Sequence, residues 1–85
     1  MRATLMDVRI LWLVWLYENR RPARSKTRKD LNARFLGMFK EIAKITRKKI
    51  GFPGRPDDEV PLDEKSDALY CRMEKEWDRV MSRKR

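Results

Sequence analysis

Ile10-Leu11-Trp12-Leu13-Val14-Trp15-Leu16-Tyr17 is a run of eight apolar residues bracketed by Arg9 and Glu18. It holds two of the three tryptophans and one of the two tyrosines, in a chain that is otherwise rich in charge. A membrane span needs about 20 apolar residues, so this run is too short for one. Asp7 and Arg9, together with the missing small-residue cleavage pattern, argue against a secretory signal. Periodicity alone does not separate a buried strand from a helix here. Two features favour the helix. Thr4-Leu5-Met6-Asp7 has capping-box spacing, with an acidic residue three after Thr. Leu5, Val8, Leu11, Trp12 and Trp15 also recur at helical steps. The pattern predicts a helix over about residues 5–20, ended by Arg20, Arg21 and Pro22, which cannot continue it.

Val8, Leu11, Trp12 and Trp15 share one face of that helix. Ile10, Leu13, Val14 and Tyr17 make most of the other. A helix apolar nearly all round is buried on several sides. Two arrangements meet that demand: a central core helix gripped by two others, or a helix with one side on a partner chain.

The 85 residues suffice for one domain with one modest core. Hydrophobic and charged residues each make up 41% of the chain. The first share argues against full disorder, and the second predicts a heavily solvated surface. Cys71 alone cannot form an internal disulfide, so an intracellular, reducing setting is expected. With no histidine and one cysteine, a zinc site, a Cys–His nucleophile and a histidine base are excluded within the chain. Gly37, Gly51 and Gly54 do not match a phosphate loop. No enzyme activity, cofactor or metal is expected. The abrupt ends suggest a piece of a larger protein.

Net charge is +9, with a pI near 10.2. Residues 1–18 are net zero; residues 19–50 set twelve basic against two acidic residues; residues 51–85 set eight against nine. The surplus therefore lies in the middle third and points to an acidic partner. It is densest in the basic loop 19–29, Asn-Arg-Arg-Pro-Ala-Arg-Ser-Lys-Thr-Arg-Lys, where Pro22 and Ser25 signal a loop. Arg20, Arg21, Arg24, Lys26, Arg28 and Lys29 are candidates for phosphate contacts. A solvated connector and a nuclear-import signal are the alternative uses.

Thr27-Arg28-Lys29-Asp30 repeats the capping-box spacing and opens a second helix near 28–49. Leu31, Phe35, Met38, Phe39, Ile42 and Ile45 form its apolar stripe. Gly37 inside it costs about 1 kcal/mol against Ala and marks a kink or a break. Arg47-Lys48-Lys49 suits the negative end of the helix dipole. Gly51 is the expected C-cap, with Pro53 beyond. In the loop 51–61, Asp57-Asp58-Glu59 is expected to be a solvated acidic run, because calcium-loop spacing is absent. Asp63 is the expected N-cap of a third helix near 63–83. Leu69, Met73, Trp77 and Val80 give that helix a core face. Arg72, Lys75, Arg79 and Arg83 form a basic stripe, and Asp67, Glu74 and Asp78 an acidic one; a solvated helix with internal ion pairs has the same pattern. The expected fold is all-α, a helix-turn-helix-like three-helix bundle around Trp12, Trp15, Phe35, Phe39 and Trp77.

The spaced Trp12 and Trp15, then Phe39-Lys40-Glu41-Ile42-Ala43, then Cys71-Arg72 followed by Trp77, resemble the Myb/SANT family and its trihelix and MADF relatives over about residues 6–84. Those domains carry an aromatic residue in each helix and an aromatic-x-x-Ile-Ala second helix. The resemblance implies a DNA-binding module of a nuclear regulatory or chromatin protein. It makes 65–83 the recognition helix, with Arg72, Lys75, Arg79 and Arg83 directed to a major groove. The long basic first connection, the wide spacing from Cys71 to Trp77 and the acidic third helix depart from the pattern. Acidic third helices fit SANT domains that bind histone tails or other proteins. The expected partner is double-stranded DNA. The alternative is a protein-interaction module, a homodimer or docking domain using the apolar helix 10–17. RNA ranks below both, since no RRM-type strand pattern appears.

Overall fold

A computed structural model describes residues 2–20 and 25–83, with side chains through residue 80. Three helices follow in order: α1, Leu5–Glu18; α2, Lys26–Thr46; α3, Glu64–Arg83. This is the expected all-α, three-helix arrangement. The only β-type contact among the described residues is an isolated antiparallel bridge between Thr4 and Pro61.

At the start of α1, the Thr4 N–H donates to the Asp7 carboxylate at 2.8 Å, as the capping box requires. The next two N–H groups find acceptors far along the chain. Leu5 donates to the Val60 carbonyl at 3.0 Å and Met6 to that of Asp58 at 2.9 Å. The helix stops at Glu18, earlier than expected, because Asn19 folds back. Its N–H and its side-chain Nδ2 both donate to the Trp15 carbonyl, at 3.0 and 2.6 Å. That satisfies an end carbonyl without a further helical turn.

α2 begins at Lys26 because Ser25, not Thr27, caps it: Ser25 Oγ accepts the Arg28 N–H at 3.1 Å. The Thr27–Asp30 spacing lies inside the first turns. Residues 26–29 of the expected loop 19–29 are therefore helical. The other end comes at Thr46 rather than 49. Arg47 adopts left-handed φ of 56°, and Thr46 Oγ1 donates to the Ile42 carbonyl at 2.7 Å. Arg47 therefore occupies the C-cap position expected for Gly51. The helix runs unbroken through Gly37, which is exposed and has nothing within 4 Å of where a Cβ would stand. Asp63 caps α3 as expected. Its carboxylate accepts the Ser66 N–H at 2.8 Å, which holds it below the usual carboxylate range.

Leu5, Val8 and Leu11 of α1, Phe35, Phe39 and Ile42 of α2, Leu62 of the connection, and Met73 and Trp77 of α3 form the buried core. Phe35 meets the Trp77 ring edge-on at 5.7 Å, and Trp15 meets Phe39 at 5.8 Å. Trp12 and Trp15 are only partly buried. α1 is not gripped on several sides. Met6, Ile10, Val14 and Tyr17 stay between 39% and 63% exposed, because α2 and α3 cover only one face.

The largest fully buried side chain is Arg9, at 0% exposed. It follows Leu5 by four and Val8 by one, so the helix turns it inward. A buried charge needs a partner. Arg9 Nη1 donates to Asp57 at 2.6 Å and to Asp58 at 2.5 Å, and Nη2 to the Lys49 carbonyl at 3.0 Å. The second oxygen of Asp58 accepts the N–H groups of Gly54, at 2.6 Å, and Arg55, at 3.1 Å. Gly54 reaches this position with φ of 100°, which glycine adopts without a Cβ penalty. Asp57 and Asp58 are thus not the solvated run expected; they are the counter-charge of Arg9, and only Glu59 is exposed. The bond from Arg9 holds the Asp57 carboxyl below its ordinary range. Burial pushes Asp58 up, but the N–H groups of Gly54 and Arg55 together with Arg9 outweigh it, and the net direction is down.

Replacing Arg9 by Leu strands two carboxylates and is expected to cost about 3 kcal/mol in urea-induced unfolding. Both carboxyls titrate lower in the folded chain than their ordinary value of 3.8. Their contribution is therefore complete above pH 3.8 and is lost as the pH falls through the folded values. Circular dichroism in an acid titration checks this: the acid transition should lie below that pH and move up in Arg9→Leu. Gly37→Ala, on an exposed unbroken turn, should stabilise the chain by about 1 kcal/mol in the same urea experiment.

Candidate nucleic-acid interface

α2 and α3 run antiparallel. Thr27, Leu31 and Arg34 of α2 line one groove with Glu76, Arg79 and Val80 of α3. Glu41 and Ile45 line another with Lys65, Leu69 and Arg72. An Arg34–Glu76 ion pair spans the first groove. The long connection, residues 47–63, turns the chain back and makes this arrangement possible. It sets the basic first turn of α2 beside Arg79, two segments some fifty residues apart.

Of the loop candidates, Arg20 is exposed just past the end of α1, its guanidinium 4.3 Å from the centroid of the Tyr17 ring. Arg21 and Arg24 lie outside the described residues. Lys26 and Lys29 are exposed on the first turn of α2, whereas Arg28 is half-buried. Of the α3 candidates, Arg72, Lys75 and Arg79 are exposed. Arg83 is the last residue of the helix, but its side chain is outside the described set. Arg79 therefore joins Lys26 and Lys29 at one end of the molecule. Arg72, two turns away, sits in the other groove near Glu41.

Two residues outside the candidate set belong with them. Lys40 and Lys44 are exposed on α2. Lys26, Lys29, Ala33, Gly37, Lys40 and Lys44 recur at steps of three and four, so they share an outward face. That face is about 27 Å long. The sequence already shows Arg34, Lys40, Glu41, Lys44 and Lys48 opposite the apolar stripe, but a charged outer face is ordinary for a solvated helix, so nothing there singles Lys40 and Lys44 out as contacts. α2 carries six basic and two acidic residues, whereas α3 carries five of each. The positive N-terminal end of the α2 dipole adds to the same pole.

On α3, the basic flank lies toward α2 and the acidic flank toward the start of the chain. Asp67 accepts the Ala3 N–H at 2.9 Å. Burial, and then the hydrogen bond to Glu74, push the Tyr70 phenol up. Among the described residues no helix is long and apolar enough to cross a membrane, and no group of three or more His, Cys, Asp or Glu is placed to hold a metal ion.

The Arg34–Glu76 pair is partly exposed, so a double-mutant cycle with Arg34→Ala and Glu76→Ala should return a coupling of only about 0.5 kcal/mol, shrinking with salt. No family model, curated protein or solved structure matches the chain.

Proposed function

We propose that this chain is a DNA-binding module that grips the phosphate backbone of double-stranded DNA with the outer face of α2 and with Arg79 of α3. The observation that carries the proposal is the antiparallel seam, which sets Arg79 against Thr27, Asp30 and Arg34 of α2 and so brings it to the end of the molecule where Lys26 and Lys29 are exposed at the positive end of the α2 dipole. Lys40 and Lys44 continue the contact along α2, and Arg20 is exposed just past the end of α1. Contacts of this kind position a protein on the duplex and carry no sequence information.

In this proposal the module belongs to a nuclear regulatory or chromatin protein, as the Myb/SANT resemblance implies. It has no catalytic chemistry of its own. The resemblance implies base contacts from Arg72, Lys75, Arg79 and Arg83; with Arg79 on the phosphates, Arg72, Lys75 and Arg83 are left for that role. Two features make backbone contact dominate over base contact: α3 has no net charge, and residues 47–63 replace the three- or four-residue turn of a compact helix-turn-helix.

Binding to random double-stranded DNA, measured across a salt series, tests the proposal. Five or six phosphate contacts give a slope of log K against log salt of about −5. Changing Lys26, Lys29 and Arg79 together to Ala should weaken binding at least tenfold and flatten the slope by about 2 to 3. A salt-independent affinity, or a triple variant that binds like the parent, would overturn it.

A further inference from the structure

The outer face of α1 is apolar, and no element among the described residues covers it. At 100° per residue, Met6, Ile10, Leu13, Val14 and Tyr17 fall within about one quarter of the helix circumference. No charged residue lies among them. Four of the five are exposed. Single exposed apolar residues are ordinary, but a contiguous stripe along a helix marks a contact surface.

We propose that this face pairs with the same face of a second copy, the two α1 helices packing antiparallel about a two-fold axis near residues 11 and 12. Charge selects the occupant. The chain carries +9, yet residues 1–18 are net zero. The stripe itself holds no charged residue, so two copies meet on it without burying a basic side chain. The ends of the stripe are also complementary. Arg20 is exposed beyond its C-terminal end. Glu59 is exposed at its N-terminal end, between the two residues whose carbonyls accept the Met6 and Leu5 N–H groups. An antiparallel pair sets Arg20 of each copy toward the N-terminal end of the other, where Glu59 and Arg2 are both exposed, and opposes the helix dipoles favourably. A parallel pair would set Arg20 against Arg20.

In the antiparallel register Met6 meets Tyr17 of the second copy, a sulfur–aromatic contact, and Ile10 meets Leu13. The interface is isologous, as two-fold dimers require. One helix face of five side chains is a small contact beside the ~800 Å² per partner of a standard interface. The dimer is therefore weak and concentration-dependent, and it presents two basic poles to one duplex. Dimerisation does not depend on the nucleic-acid proposal, and each can fail alone.

Sedimentation equilibrium from micromolar to millimolar protein, with reductant to keep Cys71 a thiol, tests it directly. The parent chain should pass from monomer toward dimer. Ile10→Glu, at an exposed position, should stay monomeric with unchanged circular dichroism and should still bind DNA in a salt-sensitive way. Orientation is read by cross-linking in a Cys71→Ser background. Oxidising a mixture of Met6→Cys and Tyr17→Cys chains should give the mixed disulfide in preference to either homodimer. A strictly monomeric parent, a dimer that survives Ile10→Glu, or homodimers of Tyr17→Cys as the main product would overturn the proposal. If the parent is monomeric while DNA binding stays salt-sensitive, only the dimer fails.

Discussion

The guanidinium of Arg9 is a full charge placed where a core side chain would otherwise stand, and much of the fold is arranged around keeping it neutralised. Three of its bonds reach across the chain: to Asp57, to Asp58 and to the carbonyl of Lys49. All three acceptors lie in the irregular connection between α2 and α3. That connection also supplies the carbonyls of Asp58 and Val60 to the first N–H groups of α1. One segment thus answers both the buried charge and the unpaired donors of a helix start. Because the segment is pinned at these points, α3 leaves it in a defined direction and returns along α2.

That return path decides where charge appears on the surface. α1 and the acidic flank of α3 are tied to the start of the chain through Asp67 and Ala3. The basic flank of α3 turns toward α2, whose own outward face is lysine-rich. The molecule therefore has a neutral, partly apolar side on α1 and a positive side on α2. Each side follows from the same packing: the two long helices bury their stripes against each other and against the inner face of α1, and what remains outside differs in character.

Phe35 and Trp77 meet edge-on, and Trp15, itself only partly buried, tilts against Phe39. Trp12 instead turns to Phe52 of the connection, at 5.7 Å. That contact is specific to the way residues 47–63 wrap α1.

The helices themselves were legible along the chain. The 3.6-residue stripes of α2 and α3, the Thr4–Asp7 spacing and the Asp63 cap are local features, and local hydrogen bonding enforces them. Helix ends were less legible, because Asn19, Ser25 and Arg47 act through side-chain or backbone geometry that neighbouring residues mimicked. The charge surplus of residues 19–50 was plain, and so was the set of basic candidates. That Lys26, Lys29 and Arg79 share one pole, while Arg72 stands apart, was decided only by the antiparallel seam. The role of Asp57 and Asp58 was also hidden. A charge at a helical position that faces inward demands a counter-charge, but composition does not say which distant carboxylate supplies it. Sequence settled what the local backbone could satisfy by itself; tertiary structure settled every pairing in which desolvation forces groups far apart in the chain to find each other.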